Sequence, residues 1–159
     1  MMPERTTRTS RTSRLGIILS GFSGLALLAL LFIPWFTRID PNLAVSDASG
    51  APVPTAAMTI WRATPGLGYL LLFSGAIAAG IAFYRSLSRK NPPLWTGLLL
   101  IIAGALSIGY MFIVLLSPPA TPGVAALANA RLSPAIGLWL GSLAAIGIIS
   151  GGLLLMRER

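Results

Sequence analysis

Cysteine and histidine are both absent from the 159 residues. Without Cys there are no disulfides, thiol nucleophiles or thiolate metal sites. Without His the chain lacks the commonest general base, the commonest metal ligand and the usual axial ligand of haem. Acids are nearly as scarce: Glu4, Asp40, Asp47 and Glu158 are the whole set. Lysine occurs once, at Lys90, outside any long apolar stretch, so no buried amine is available for a retinal-type Schiff base. No catalytic constellation and no cofactor site emerges from what remains, and enzymatic activity is not expected.

Charge of either sign is thin. Charged residues make up 10% of the chain and hydrophobic residues 55%, with mean hydropathy +0.80. A soluble domain carries about 25% charged residues, so this chain cannot cover a water-facing surface and lipid must be its solvent. The net charge of +8 would suggest nucleic acid in a soluble protein. Here the Arg and Lys residues sit beside apolar runs, where they fix topology and meet anionic lipid, and no nucleic-acid partner is expected.

A spanning helix needs about 20 mainly apolar residues. Four charge-free stretches qualify, at about 15–36, 63–84, 94–117 and 132–156. Pro118, Pro119 and Pro122 separate the last two, because no helix continues through such a cluster. The expected fold is therefore an all-α polytopic membrane protein, a single four-helix domain over 15–159 behind a disordered basic tail at 1–14. Outer loops are expected at 37–62 and 118–131. Arg5, Arg8, Arg11, Arg14, Arg85, Arg89, Lys90, Arg157 and Arg159 would share one side, against Arg38, Arg62 and Arg131 on the other. The side richer in Lys and Arg is cytoplasmic, which places both termini there. A cleaved signal peptide ending near Ala44 and Ser46 is the alternative for the first stretch, but its 22 apolar residues exceed a signal h-region. Trp35, Trp61, Tyr84 and Trp95 fall near the span ends, where interfacial aromatics anchor helices.

An internal repeat is suggested by Arg62-Ala-Thr-Pro-Gly-Leu-Gly68 against Arg131-Leu-Ser-Pro-Ala-Ile-Gly137. It makes the chain two parallel-repeated hairpins related by an axis along the membrane normal. Thr64 and Ser133 read as N-caps, with Pro65 and Pro134 at the first helical position. Arg62 and Arg131 lie just before those starts. Together with Thr64 and Ser133 they form a candidate site for an anion, a lipid phosphate or a partner's carboxylate; simple snorkelling to headgroups is the plainer reading. Asp40 and Asp47 could pair on a cation, although acids beside Pro, Gly and Ser more often mark turns.

Small residues recur at spacing four: Gly16, Ser20 and Gly24; Gly75 and Ala79; Ala105 and Gly109; Gly137, Gly141 and Ala145, then Gly147 and Gly151. Such faces let backbones approach closely in lipid. The fourth stretch has two of them, so Gly137, Gly141, Ala145, Gly147 and Gly151 are the candidate interface with another chain. Trp139 is expected to fill the bundle interior, with contact to a hydrophobic ligand as the alternative. Ser20, Ser23, Ser74, Ser107, Ser142 and Ser150 have no base near to activate them and should bond within the helices. No ionisable group lies inside a span, which excludes the usual proton relays and voltage sensors.

The first stretch ends Phe32-Ile-Pro-Trp-Phe36, Trp61-Arg-Ala63 precedes the second, and the fourth runs from Gly137-Leu-Trp-Leu140 to Gly151-Gly-Leu-Leu-Leu155. In these motifs the chain resembles a broad group of uncharacterised bacterial four-span proteins whose first helix ends in Pro-Trp. The resemblance implies a bacterial inner-membrane setting and no assigned activity. The cysteine patterns of tetraspanins and claudins and the membrane Glu of small multidrug transporters are absent. The function expected from all this is a non-catalytic accessory or assembly subunit of a larger membrane complex, with membrane lipids and other membrane subunits as partners. A small channel, or a protein handling lipid or a hydrophobic ligand between the two hairpins, is the alternative.

Overall fold

The computed structural model describes residues 6–39, 56–87, 94–117 and 131–157. Its elements run α1 (Thr6–Leu30), β1 (Pro34–Ile39), β2 (Ala56–Thr59), α2 (Ile60–Ala63), α3 (Pro65–Leu87), α4 (Leu94–Leu116), β3 (Arg131–Pro134) and α5 (Ile136–Met156). Three helices, over Pro65–Leu87, Trp95–Leu116 and Ile136–Met156, are long and apolar enough to cross a membrane; the apolar part of α1, Arg14–Leu30, is shorter.

The four long helices form a bundle in which each neighbour pair runs antiparallel. Gly16 meets Gly151 and Leu155, while further along the same seam Ser23 meets Gly147. Gly24 lies on Gly75 and Gly21 on Ala82. Gly97 meets Gly152 and Met156, and Gly104 meets Ala145 and Ile149. Ser74 and Ser107 join α3 to α4. The order around the bundle is thus α1, α3, α4, α5 and back to α1. The start of α1 and the end of α5 share one end of the bundle.

The side-chain distribution is that of a protein dissolved in lipid. The buried stripe of α3 is Leu67, Gly68, Leu71, Ser74, Gly75 and Ala78, a helical period of small, hydroxyl and leucine residues. Outward-facing positions carry Phe22, Phe73, Phe83, Ile102, Leu106, Phe112, Leu143 and Ile146, all exposed. Water would oppose that surface, since contiguous exposed apolar area is rare on soluble monomers. Lipid tails accept it, and close backbone packing of small residues then drives association.

Several expectations are corrected. The first helix stops at Leu30, not Phe36: Leu31, Phe32 and Ile33 donate backbone bonds three residues back, at 3.3 Å, tightening the last turn as helix ends do, and Pro34 prevents continuation. At its other end α1 is already helical from Thr6, where an unstructured tail was expected. Once a helix is nucleated, each added residue costs little and gains a bond, and Arg is a good helix former. The second helix begins at Pro65, the first helical position expected for it, whereas the fourth begins at Ile136 and not at Pro134.

The larger correction is a three-stranded sheet, order β2-β1-β3, at the end of the bundle where α1 finishes and α3 and α5 begin. Both pairings are antiparallel. These segments were expected to be loops and a helix start. Prolines mark the sheet's limits: Pro34 opens β1 and Pro134 closes the edge strand β3, the positions where a missing donor is tolerated.

Candidate functional site

The sheet end of the bundle gathers most of the residues singled out in the sequence, and Trp35 organises it. The β1–β2 register shifts between Pro34 and Phe36, so Trp35 is the extra residue of a bulge, which re-aims a side chain. Its indole is 0% exposed and lies over Gly137 and Gly141 of α5. A Cβ at Gly137 would stand 2.5 Å from the Pro34 carbonyl oxygen and 2.9 Å from the indole Cδ1. Trp35 Nε1 donates to the Leu30 carbonyl oxygen at 2.6 Å, which also accepts from Ile33 N–H at 3.3 Å, so the indole reinforces the end of α1. The Trp35 carbonyl in turn accepts from Ala135 N–H at 2.9 Å. One residue thereby ties α1, the sheet and α5 together. Sequence reasoning placed Trp35 at the lipid interface; the glycine pair on α5 that makes room for it was visible, but not what would fill it.

Trp61 sits against Gly68, whose Cβ would lie 2.8 Å from the indole Cε3. It meets Tyr69 edge-on, with centroids 5.5 Å apart and planes at 76°. Trp95 and Tyr84 are exposed.

The proposed capping pair splits: Thr64 keeps its place and Ser133 does not. Thr64 occupies the N-cap position of α3 by its backbone, since its carbonyl accepts from Gly68 N–H at 3.1 Å and Pro65 is the first helical residue. Its Oγ1, however, is buried with no hydrogen-bond partner. Ser133 is not a cap at all: it lies in β3 opposite Thr37, Ala135 is the N-cap residue of α5, and Pro134 is in the strand. The reason is β1, which recruits 131–134 as a neighbouring strand, whereas the matching segment at 62–65 runs from the short α2, which follows β2, into the start of α3. The sequence repeat therefore has two different local structures. Arg62 is exposed in α2, two residues before Thr64; Arg131 pairs through its backbone with Ile39, five residues before α5 begins. Both positions are at the sheet end. Asp40 and Asp47 lie outside the described residues.

The small faces of α5 are filled within the chain. Gly137 and Gly141 hold Trp35, Gly147 holds Ser23, Gly151 holds Ser20 and Gly16, and Ala145 borders Gly104. Two faces are present because α5 has two close neighbours, α1 and α4. Trp139 is 57% exposed, so it does not fill the interior. Gly80 and Gly109 differ from all other described glycines: a Cβ there would meet nothing within 4 Å.

Hydroxyls line the remaining seam, between α3 and α4. Ser107 Oγ is 3.0 Å from Ser74 Oγ and 2.8 Å from the Ala103 carbonyl oxygen, and Ser74 Oγ is 3.3 Å from the same carbonyl. Two donors and three acceptors close this network. Ser20 bonds the Ile17 carbonyl at 3.2 Å, and Ser142 the Leu138 carbonyl at 2.9 Å, the back-bonding expected of serine in an apolar helix. Among the described residues no group of three or more His, Cys, Asp or Glu could hold a metal ion. Nor does any protein-family model, or any curated protein, match the chain.

Proposed function

We propose that the chain is a four-span protein of a bacterial inner membrane, with both termini cytoplasmic, that serves as a non-catalytic accessory or assembly subunit of a larger membrane complex. Treating α1 as the fourth span is supported by its packing: it lies against α3 and α5 from Gly16 to Leu28, level with helices long enough to cross. Its segment Arg14–Leu30 reaches about 25 Å at 1.5 Å per residue, and the turn at 31–33 extends the apolar stretch. The orientation rests on nine basic residues at one end against three at the other, as counted from the sequence.

The observation that carries the interaction role is the pair Gly80 and Gly109. Each faces outward, in the open, four residues from an exposed alanine, Ala76 on α3 and Ala105 on α4. A helix-interior glycine costs about 1 kcal/mol relative to alanine, and here no neighbour among the described residues requires it. A partner helix approaching closely would. The partner face thus moves from α5 to α3 and α4. Purification in mild detergent, followed by mass spectrometry, should recover additional membrane subunits. Gly80→Leu and Gly109→Leu should release them while leaving the bundle folded. A lone monomer under several gentle conditions, or unchanged recovery from both variants, would overturn the reading.

The second reading, a small channel or a protein handling lipid or a hydrophobic ligand, is favoured by one feature: the hydroxyl-lined α3–α4 seam lies between the two hairpins, where such a pathway would run.

A further inference from the structure

We infer that the bundle opens sideways along the α3–α4 seam while its other three seams stay closed. Three of the four helix contacts are made through glycine with backbone against backbone. A Cβ at Gly151 would stand 2.8 Å from the Gly16 carbonyl oxygen; at Gly24, 2.9 Å from the Gly75 carbonyl oxygen; at Gly97, 3.0 Å from the Gly152 carbonyl oxygen. Parting any of these forfeits a long run of close dispersion contacts. The α3–α4 seam has no such approach among the described residues. The nearest equivalent is Gly66, which faces the far end of a flexible side chain, the Tyr110 hydroxyl, at 3.3 Å from its would-be Cβ.

What holds the seam instead is the Ser74–Ser107–Ala103 network. Interhelical hydrogen bonds in membranes average only about 0.6 kcal/mol, because the separated groups find other partners. Ser107 already has one, the Ala103 carbonyl of its own helix at 2.8 Å. The two serines lie nine residues from the sheet-side ends of α3 and α4, about 14 Å deep at 1.5 Å per residue, so an opening there reaches the middle of the bundle. Because the bundle is a ring, opening one contact leaves a C-shaped cross-section with three contacts intact.

The absence of cysteine makes this measurable with a matched pair of probes. Ser20 and Ser107 are both 0% exposed, both bonded to a carbonyl of their own helix, and placed in the α1–α5 and α3–α4 seams respectively. Single variants Ser20→Cys and Ser107→Cys, reconstituted in vesicles, would be treated with N-ethylmaleimide, and the rate of adduct formation followed by mass spectrometry. Ser107→Cys should react at least about ten-fold faster, and adding Ser74→Ala should raise its rate further. Adding Ser23→Ala should leave Ser20→Cys unchanged. Equal rates for the two thiols, or a faster Ser20→Cys, would overturn the inference. If either variant melts early, Ser74→Cys and Ser23→Cys, both also buried, replace the pair under the same criterion.

Discussion

The α1–α5 and α3–α4 seams join the same two hairpins and are built in opposite ways. At the first, Gly16 and Gly151 bring two backbones together, with Ser20 and Ser23 filling the small spaces beside Gly151 and Gly147. At the second, leucines and serines keep the backbones apart, and a pair of hydroxyls spans the gap. Both are apolar and both would be surrounded by lipid. The difference shows that in this solvent hydrophobicity does not rank the contacts, since leaving lipid gains nothing. Backbone proximity does. A parallel duplication would make the two seams equivalent, and the clearest departure from that symmetry is Trp35, which fastens α1 to α5 and has no counterpart between α3 and α4 among the described residues.

Removing that fastening should have the largest effect. Trp35→Ala deletes a fully buried indole, the bond to the Leu30 carbonyl and the filling of the Gly137–Gly141 groove. It should cost about 3–5 kcal/mol, read as a lowered melting temperature in detergent, and would bring the α1–α5 seam towards the looseness of its counterpart. Breaking the hydroxyl bridge should matter far less. The double variant Ser74→Ala/Ser107→Ala should lose about 0.6 kcal/mol, the average for an interhelical bond in a membrane, and melt close to wild type. The smallest effect belongs to the sheet-end cations. Arg62→Gln with Arg131→Gln should change stability by about 0–1 kcal/mol; if the two residues hold anionic headgroups, as their position before α3 and in β3 allows, co-purifying anionic lipid should fall measurably, whereas unchanged retention would leave simple snorkelling as their role.

Helix positions were legible because lipid imposes a length and forbids charge: the stretches read at 63–84 and 94–117 differ from α3 and α4 by at most three residues at an end. The small-residue periodicity was equally visible. Which neighbour each face meets was not, because spacing along one helix is silent about its surroundings, and α5 was therefore given a partner outside the chain that it finds inside. The sheet was illegible for a different reason. Its strands, Pro-Trp-Phe-Thr-Arg-Ile, Ala-Ala-Met-Thr and Arg-Leu-Ser-Pro, are short and lack a strict alternation, and β1 pairs with a segment some 96 positions away, as the Thr37–Ser133 contact shows. Ser133 read as a cap because Ser-Pro before an apolar run is a helix-start signal; a long-range strand pairing overrode it. Trp35 read as an anchor because only the bulge turns it inward.

The central claim is that close glycine contact holds three seams and that Gly80 and Gly109 take no part in them. Thermal unfolding of Gly151→Leu beside Gly109→Leu tests it most directly. A side chain at Gly151 must push α1 away, since even its Cβ would meet the Gly16 carbonyl oxygen at 2.8 Å, and overpacking of this kind costs about 1–3 kcal/mol or more. The account predicts that Gly151→Leu melts well below wild type while Gly109→Leu melts at or slightly above it. Equal losses in the two variants would contradict it.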